Sequence, residues 1–403
     1  MIVLSGADLV LPDRILSGTL VIEGDRIADI RQGAASGSSR ATRETTTFAL
    51  HNHYLVPGFI DVHVHGVDGL DTLGAADSIA AMAAALPRYG VTAFSPTTVA
   101  CSAAALRRVL AQVRRARQAP GARAARVLPA HLESNFINPG FAGAQPRTCL
   151  CSPRTALDAW SDPPREDAGA AILREIELAA PDVGIVTIAP ELEGGLDLAA
   201  WLHARGHRVS IGHSGASYDE ALAAIGAGVR HATHLFNCMP PLQHRAPGLV
   251  GAVLQTDDVA AEIICDGFHV HPALVRATVA AKGPSRVMAI SDGTALSGMA
   301  AGTRALLGEQ AITAGASAAH LADGTLAGSI LTMDRSFRAL VEQMGFSPVV
   351  AAAMCATTPA REMGLVGYGV LARDAFADLV VLDAQLAVMQ TYVAGQLVYA
   401  RSA

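Results

Sequence analysis

Short apolar runs alternate with Ala/Leu-rich stretches through the middle of the chain, and this alternation sets the fold class. Eight runs read as strands: "GFIDVHVHG" (58–66), "TAFSPTTV" (92–99), "ARVLPAHLES" (125–134), "GIVTIAPE" (184–191), "RVSIGHS" (208–214), "HATHLFN" (231–237), "AEIICDGFHV" (261–270) and "RVMAISDG" (286–293). Segments such as "SIAAMAAALPRYG" and "SYDEALAAIGAG" lie between them and read as helices. Eight such β-α units predict a (β/α)8 TIM barrel of class α/β, spanning 53–361. An open, doubly wound sheet is the alternative, but neither GxGxxG nor GxxxxGK[ST] follows the first strand.

The two ends carry a different pattern. "IVLSGADLVL", "GTLVIEGDRIADI" and "TTTFALHNHYLVPG" alternate apolar residues with Gly and Asp turns, as do "GVLARDAFADLVVLD" and "VMQTYVAGQLVYA". Each end is too short to make a stable sheet alone. Residues 1–52 and 362–403 are therefore expected to join as one small β-sandwich.

Composition narrows the function. The chain has 403 residues, 51% hydrophobic and 16% charged, enough for a large core. Its net charge is −6 and it has no basic run, which argues against nucleic-acid or anionic-lipid partners. No 18-residue apolar stretch of spanning character and no basic leader with an apolar core is present, so a cytoplasmic enzyme is expected. Six cysteines without a CxxC pair read as reduced thiols. The only lysine, Lys282, falls in "AAKGPSRV", a turn before a strand. A site built on a strand-borne lysine is therefore not expected.

Polar residues mark the C-terminal ends of five strands: His63 and His65, Glu133, His213, His234 and Asp292. A barrel brings these ends to one mouth. Alternation puts His63 and His65 on the same strand face, about 6–7 Å apart. A lone strand-end histidine is usually structural, but imidazoles and carboxylates in barrel order form a donor set for Zn²⁺ or a similar divalent ion. His231, His244 and His271 fall near the same mouth and read as supporting residues.

"PGFIDVHVHG" resembles the first-strand motif of the amidohydrolase superfamily. Over nearly its full length the chain resembles the N-acetylglucosamine-6-phosphate deacetylases. The stretches that carry this are "HLESNFINP", "SIGHSGASYDEA", "HATHLFNCMPPLQHRAPGLVGAVL", "CDGFHVHPALVR", "SDGTALSGM" and "GTLAGSILTMDRSF". The resemblance implies a homodimer and hydrolysis of the N-acetyl group of N-acetylglucosamine 6-phosphate. It implies Glu133, His213 and His234 as ligands of a principal metal, with His63 and His65 able to hold a second ion. Asp292 would be the acid/base, Arg245 and His269 would grip the sugar phosphate, and Asn237 and Cys238 would line the pocket.

Two departures stand out. Where much of the family has Gly-Pro after the acid, this chain has Ser134-Asn135; where it has a substrate-contacting histidine, this chain has Gln145. A neutral amide cannot carry a proton charge. Another N-acyl amino sugar, phosphorylated or free, is thus the alternative substrate, followed by a cyclic amide turned over by a different amidohydrolase chemistry.

Overall fold

The structure is a computed structural model that describes residues 1–33, 45–162 and 166–402. A parallel sheet runs in sequence order through the expected barrel strands: Phe59–Val64, Val91–Thr98, Ala130–Glu133, Val183–Ile188, Arg208–Ile211, Val229–Ala232, Ala260–Ile264 and Val287–Ile290. The first and eighth strands meet at their C-terminal ends, where the His65 and Gly66 N–H groups donate to the Gly293 carbonyl at 2.8 and 2.9 Å. Asp61 clasps the same seam, accepting the Ser291 hydroxyl at 2.5 Å. This is the (β/α)8 barrel.

The third strand is interrupted. Arg126–Val127 pairs with the second strand, and pairing resumes at Ala130 after Pro129, which has no N–H to offer. Alternation sorts the seventh strand cleanly. Ala261 and Ile263 join the large core beneath the helices, while Ala260 and Ile264 pack inside the barrel with Ile60, Val62 and Met288. Above that apolar layer the interior is polar, with Thr187, Ser210 and Thr233 joined by hydroxyl bonds of 2.6–2.8 Å.

The chain ends build one eight-stranded sheet. Its central junction is an antiparallel pair from opposite ends of the sequence, Tyr54–Pro57 with Leu379–Leu382. Leu4, Leu9, Leu20, Leu55, Leu379, Val381 and Tyr392 form its buried core. A four-stranded antiparallel sheet, Arg304–Leu307 through Leu326–Ser329, follows the eighth barrel strand and was not expected. Among the described residues no helix is long and apolar enough to cross a membrane. All six cysteines are free thiols.

Candidate metal centre and cleft

The chemistry-bearing side chains leave the barrel where strand pairing stops. His63 and Glu133 are still in strands, and His65 follows directly after Val64. His213, His234 and Asp292 each lie two residues beyond their last paired residue. All three have left-handed backbones, with φ of 46°, 29° and 48°. Non-glycine residues adopt that conformation uncommonly, His and Asp more readily than most. Here it ends the strand and turns the side chain inward across the mouth.

Six groups converge there, each less than a tenth exposed. Glu133 Oε1 is 2.9 Å from His213 Nε2 and 2.8 Å from His234 Nε2, and those two nitrogens are 3.1 Å apart. Its Oε2 is 3.4 Å from His65 Nε2. Asp292 Oδ1 is 3.2 Å from both His63 Nε2 and His65 Nε2, which are 3.3 Å from one another. Glu133 therefore spans two halves of one cluster.

This donor set fits a divalent cation. The Nδ1 atom of His213 faces the Phe141 carbonyl at 2.8 Å, that of His65 the Thr97 carbonyl at 3.2 Å, and that of His63 the Glu262 carboxylate at 3.0 Å. Each of these acceptors takes an N–H, which leaves the Nε2 lone pair pointing at the centre. Lone pairs 3.1–3.3 Å apart repel unless positive charge lies between them. The electrostatics agree. Burial alone would pull the His65 imidazole down, yet Asp292 and Glu133 raise it to about 9. Burial would likewise raise the Glu133 carboxyl, but His213, His234 and His65 hold it well below the usual carboxylate range. Asp292 is held down against burial in the same way by His63 and His65. The centre demands positive charge, which a metal supplies while displacing protons from the imidazoles.

A cleft of about 140 Å³ opens on these groups. Gln145, Asn237, Cys238 and His269 line it, with Leu307, Leu326 and Gly328 from the small antiparallel sheet. The Asp266 carboxylate binds His269 Nδ1 at 2.6 Å and raises the imidazole against burial, while His269 Nε2 is buried without a partner among the described residues. Arg245 does not line the cleft. It is exposed on the irregular stretch 241–247, with no ion pair among the described residues. Gln145 donates from Nε2 to Glu133 Oε2 and accepts the Ala100 N–H at 2.7 Å through Oε1. Asn135 donates to the Cys101 and Cys149 carbonyls, both at 2.7 Å. Both departures from the family pattern thus brace the loop after the third strand.

Of the supporting histidines, His231 is buried 3.5 Å from Glu362, His271 caps the helix Pro272–Lys282, and His244 is exposed. Sequence reading missed Glu262, whose only signal was a single acid inside the apolar run "AEIIC". It also missed Asp266, the partner of His269.

The model of the amidohydrolase family matches residues 54–398. An N-acetylglucosamine-6-phosphate deacetylase from Lysinibacillus sphaericus is 34% identical over 346 residues, covering 85% of each chain. An N-acetylgalactosamine-6-phosphate deacetylase from Escherichia coli O157:H7 is also 34% identical, over 85% of this chain and 87% of its own. Among solved structures, a variant of N-acetyl-D-glucosamine-6-phosphate deacetylase from Mycobacterium smegmatis, in complex with N-acetyl-D-glucosamine-6-phosphate, superposes with a TM-score of 0.84 at 31% identity. It covers 98% of this chain and 99% of its own.

Proposed function

The chain belongs to the amidohydrolase family, among its N-acetylglucosamine-6-phosphate deacetylases, and from that premise we propose that it hydrolyses the N-acetyl group of N-acetylglucosamine 6-phosphate to acetate and glucosamine 6-phosphate. The observation that carries this reading is the convergence of Glu133, His213, His234, His63, His65 and Asp292 at the base of a cleft also lined by His269.

Glu133, His213 and His234 would hold the principal ion, and His63 and His65 would hold a second where one binds. The mixture of imidazole and carboxylate donors suits Zn²⁺. A bound Zn²⁺ lowers the pKa of water toward about 7 and polarises a carbonyl oxygen. The protein supplies the proton transfers. Asp292, held as a carboxylate by its histidine neighbours, takes a proton from the attacking water and returns it to the departing amine nitrogen as the C–N bond breaks. His269, backed by Asp266, offers Nε2–H to the substrate's phosphate. Arg245 would contribute its two-pronged guanidinium only if the stretch 241–247 folds inward or reaches the cleft of a second copy, as in the expected homodimer.

The N-acetylgalactosamine 6-phosphate reading is retained because a relative named for that sugar is as similar as one named for the glucosamine epimer. Acetate release should be measured across N-acetylglucosamine, N-acetylgalactosamine and their 6-phosphates, with metal analysis of the protein. Phosphorylated glucosamine substrate is expected to be turned over fastest. Failure to cleave any of the four, or activity without divalent metal, overturns the proposal. Asp292→Asn should lower kcat on the order of 10²–10⁴-fold with metal content intact; full activity in that variant would remove the acid/base role.

A further inference from the structure

Glu262 sits mid-strand in Ala260–Ile264, points into the barrel and is fully buried. A carboxylate in such a place is costly unless something offsets its charge. Its partners inside the protein are few. Oε2 accepts from His63 Nδ1 at 3.0 Å. Oε1 has no hydrogen-bond partner among the described residues. His131 Nδ1 lies 3.8 Å from it, but that nitrogen faces the Val62 carbonyl at 3.1 Å, and His131 Nε2 meets the Thr187 hydroxyl at 2.8 Å. His131 is therefore already committed, and Glu262 is aimed through one imidazole at the metal centre.

The four imidazoles of that centre are not supported alike. His213 and His65 are backed by neutral carbonyls, and His234 Nδ1 has no partner among the described residues. Among the described residues, only His63 of the four has an anion behind it. An anionic acceptor fixes the tautomer and ring plane, and makes the opposite nitrogen a stronger donor.

We propose that Glu262 is a positioning residue for the metal centre, which holds His63 with its Nε2 lone pair toward the ion and supplies countercharge to it from behind. This rests on the reading of His63 as a ligand. It also accounts for the half-satisfied buried carboxylate, whose one side-chain hydrogen bond among the described residues runs through His63 toward the ion.

The test uses the full chain stripped of metal and titrated with Zn²⁺ against a chromophoric chelator. Glu262→Leu removes the acceptor, and Glu262→Gln keeps an acceptor but removes the charge. Zn²⁺ affinity should fall about 10–100-fold in Glu262→Leu and by less in Glu262→Gln. In the loaded protein kcat should fall while KM for the sugar phosphate stays unchanged, which general loosening of the barrel would not produce. A folded Glu262→Leu protein with wild-type Zn²⁺ affinity and stoichiometry overturns the proposal. If that variant does not fold, Glu262→Gln decides alone, with wild-type affinity counting against the role and weaker affinity for it. The parent reading fails separately, if the wild-type protein binds no Zn²⁺ or if His63→Ala leaves binding unchanged.

Discussion

Both polar ends of the Gln145 side chain are occupied, one by Glu133 and one by the Ala100 N–H. An amide so held acts first on the carboxylate: it occupies Glu133 Oε2 and leaves Oε1 to face His213 and His234. With Glu133 in its proposed role as a ligand, Gln145→Leu should weaken metal binding about 10–100-fold, the usual effect of losing a group that orients a ligand. It should also destabilise the fold by about 1–3 kcal/mol, because the buried Ala100 N–H loses its acceptor. Chelator competition and thermal melting would measure the two effects; unchanged metal affinity would return Gln145 to a purely substrate-facing role. Glu133, His213, His234 and Asp292 were legible in the sequence because a lone polar residue after an apolar run signals a strand end at the mouth. The aim of Gln145 was not, since it depends on the loop after the third strand folding back on the acid twelve positions earlier. Glu262 was hidden for a similar reason: it meets His63 across 199 positions of sequence, and within its own strand it only interrupts an apolar pattern.

At the scale of elements, the barrel strands declared themselves because buried parallel strands are apolar on both faces. The sheet of Arg304–Leu307, Gln310–Ala314, Ala318–His320 and Leu326–Ser329 did not. Its strands are three to five residues long and half exposed, with turns at Gly308 and Gly324 that need positive φ. Yet this sheet supplies Leu307 and Leu326 to the cleft wall. Lys282 is a second case. Read as a turn residue, it is instead the buried last residue of the helix Pro272–Lys282, and its ammonium donates to the Val253 and Thr256 carbonyls, both at 2.7 Å. These belong to the C-terminal end of the neighbouring helix Gly248–Gln255, where carbonyls lack partners within the helix. Lys282→Met keeps the aliphatic stem and removes both bonds. It should lower stability by about 1–3 kcal/mol while leaving turnover unchanged at room temperature. A melting temperature equal to wild type would show that water replaces the ammonium without loss.

At the scale of the whole molecule, the meeting of the two chain ends was legible because both carry the same short-strand pattern, although the pairing of Tyr54–Pro57 with Leu379–Leu382 was not. The return path to that sheet leaves the barrel through the helix Thr358–Glu362, and Glu362 pins it. Its carboxylate accepts from Arg361 at 2.7 Å and Arg286 at 3.2 Å, and lies 3.5 Å from His231 on the sixth barrel strand. Burial would raise this carboxyl, but His231 and Arg361 bring it down to about 2, from an ordinary 4.5. The sign of the pH effect follows. Below its unfolded value the unfolded chain binds a proton that the folded chain refuses, so folding loses stability as the pH falls from 4.5 through 2. Above 4.5 the contribution is fully present, about 3 kcal/mol. Urea unfolding of wild type and Glu362→Gln at pH 7, 4.5 and 3 isolates this group, since the other carboxylates titrate alike in both proteins. The wild-type advantage should be constant between pH 7 and about 5 and shrink steadily toward pH 3. An advantage that stays the same across the whole range would mean that the helix is held by its packing alone and that the charge of Glu362 contributes nothing to joining barrel and terminal sheet.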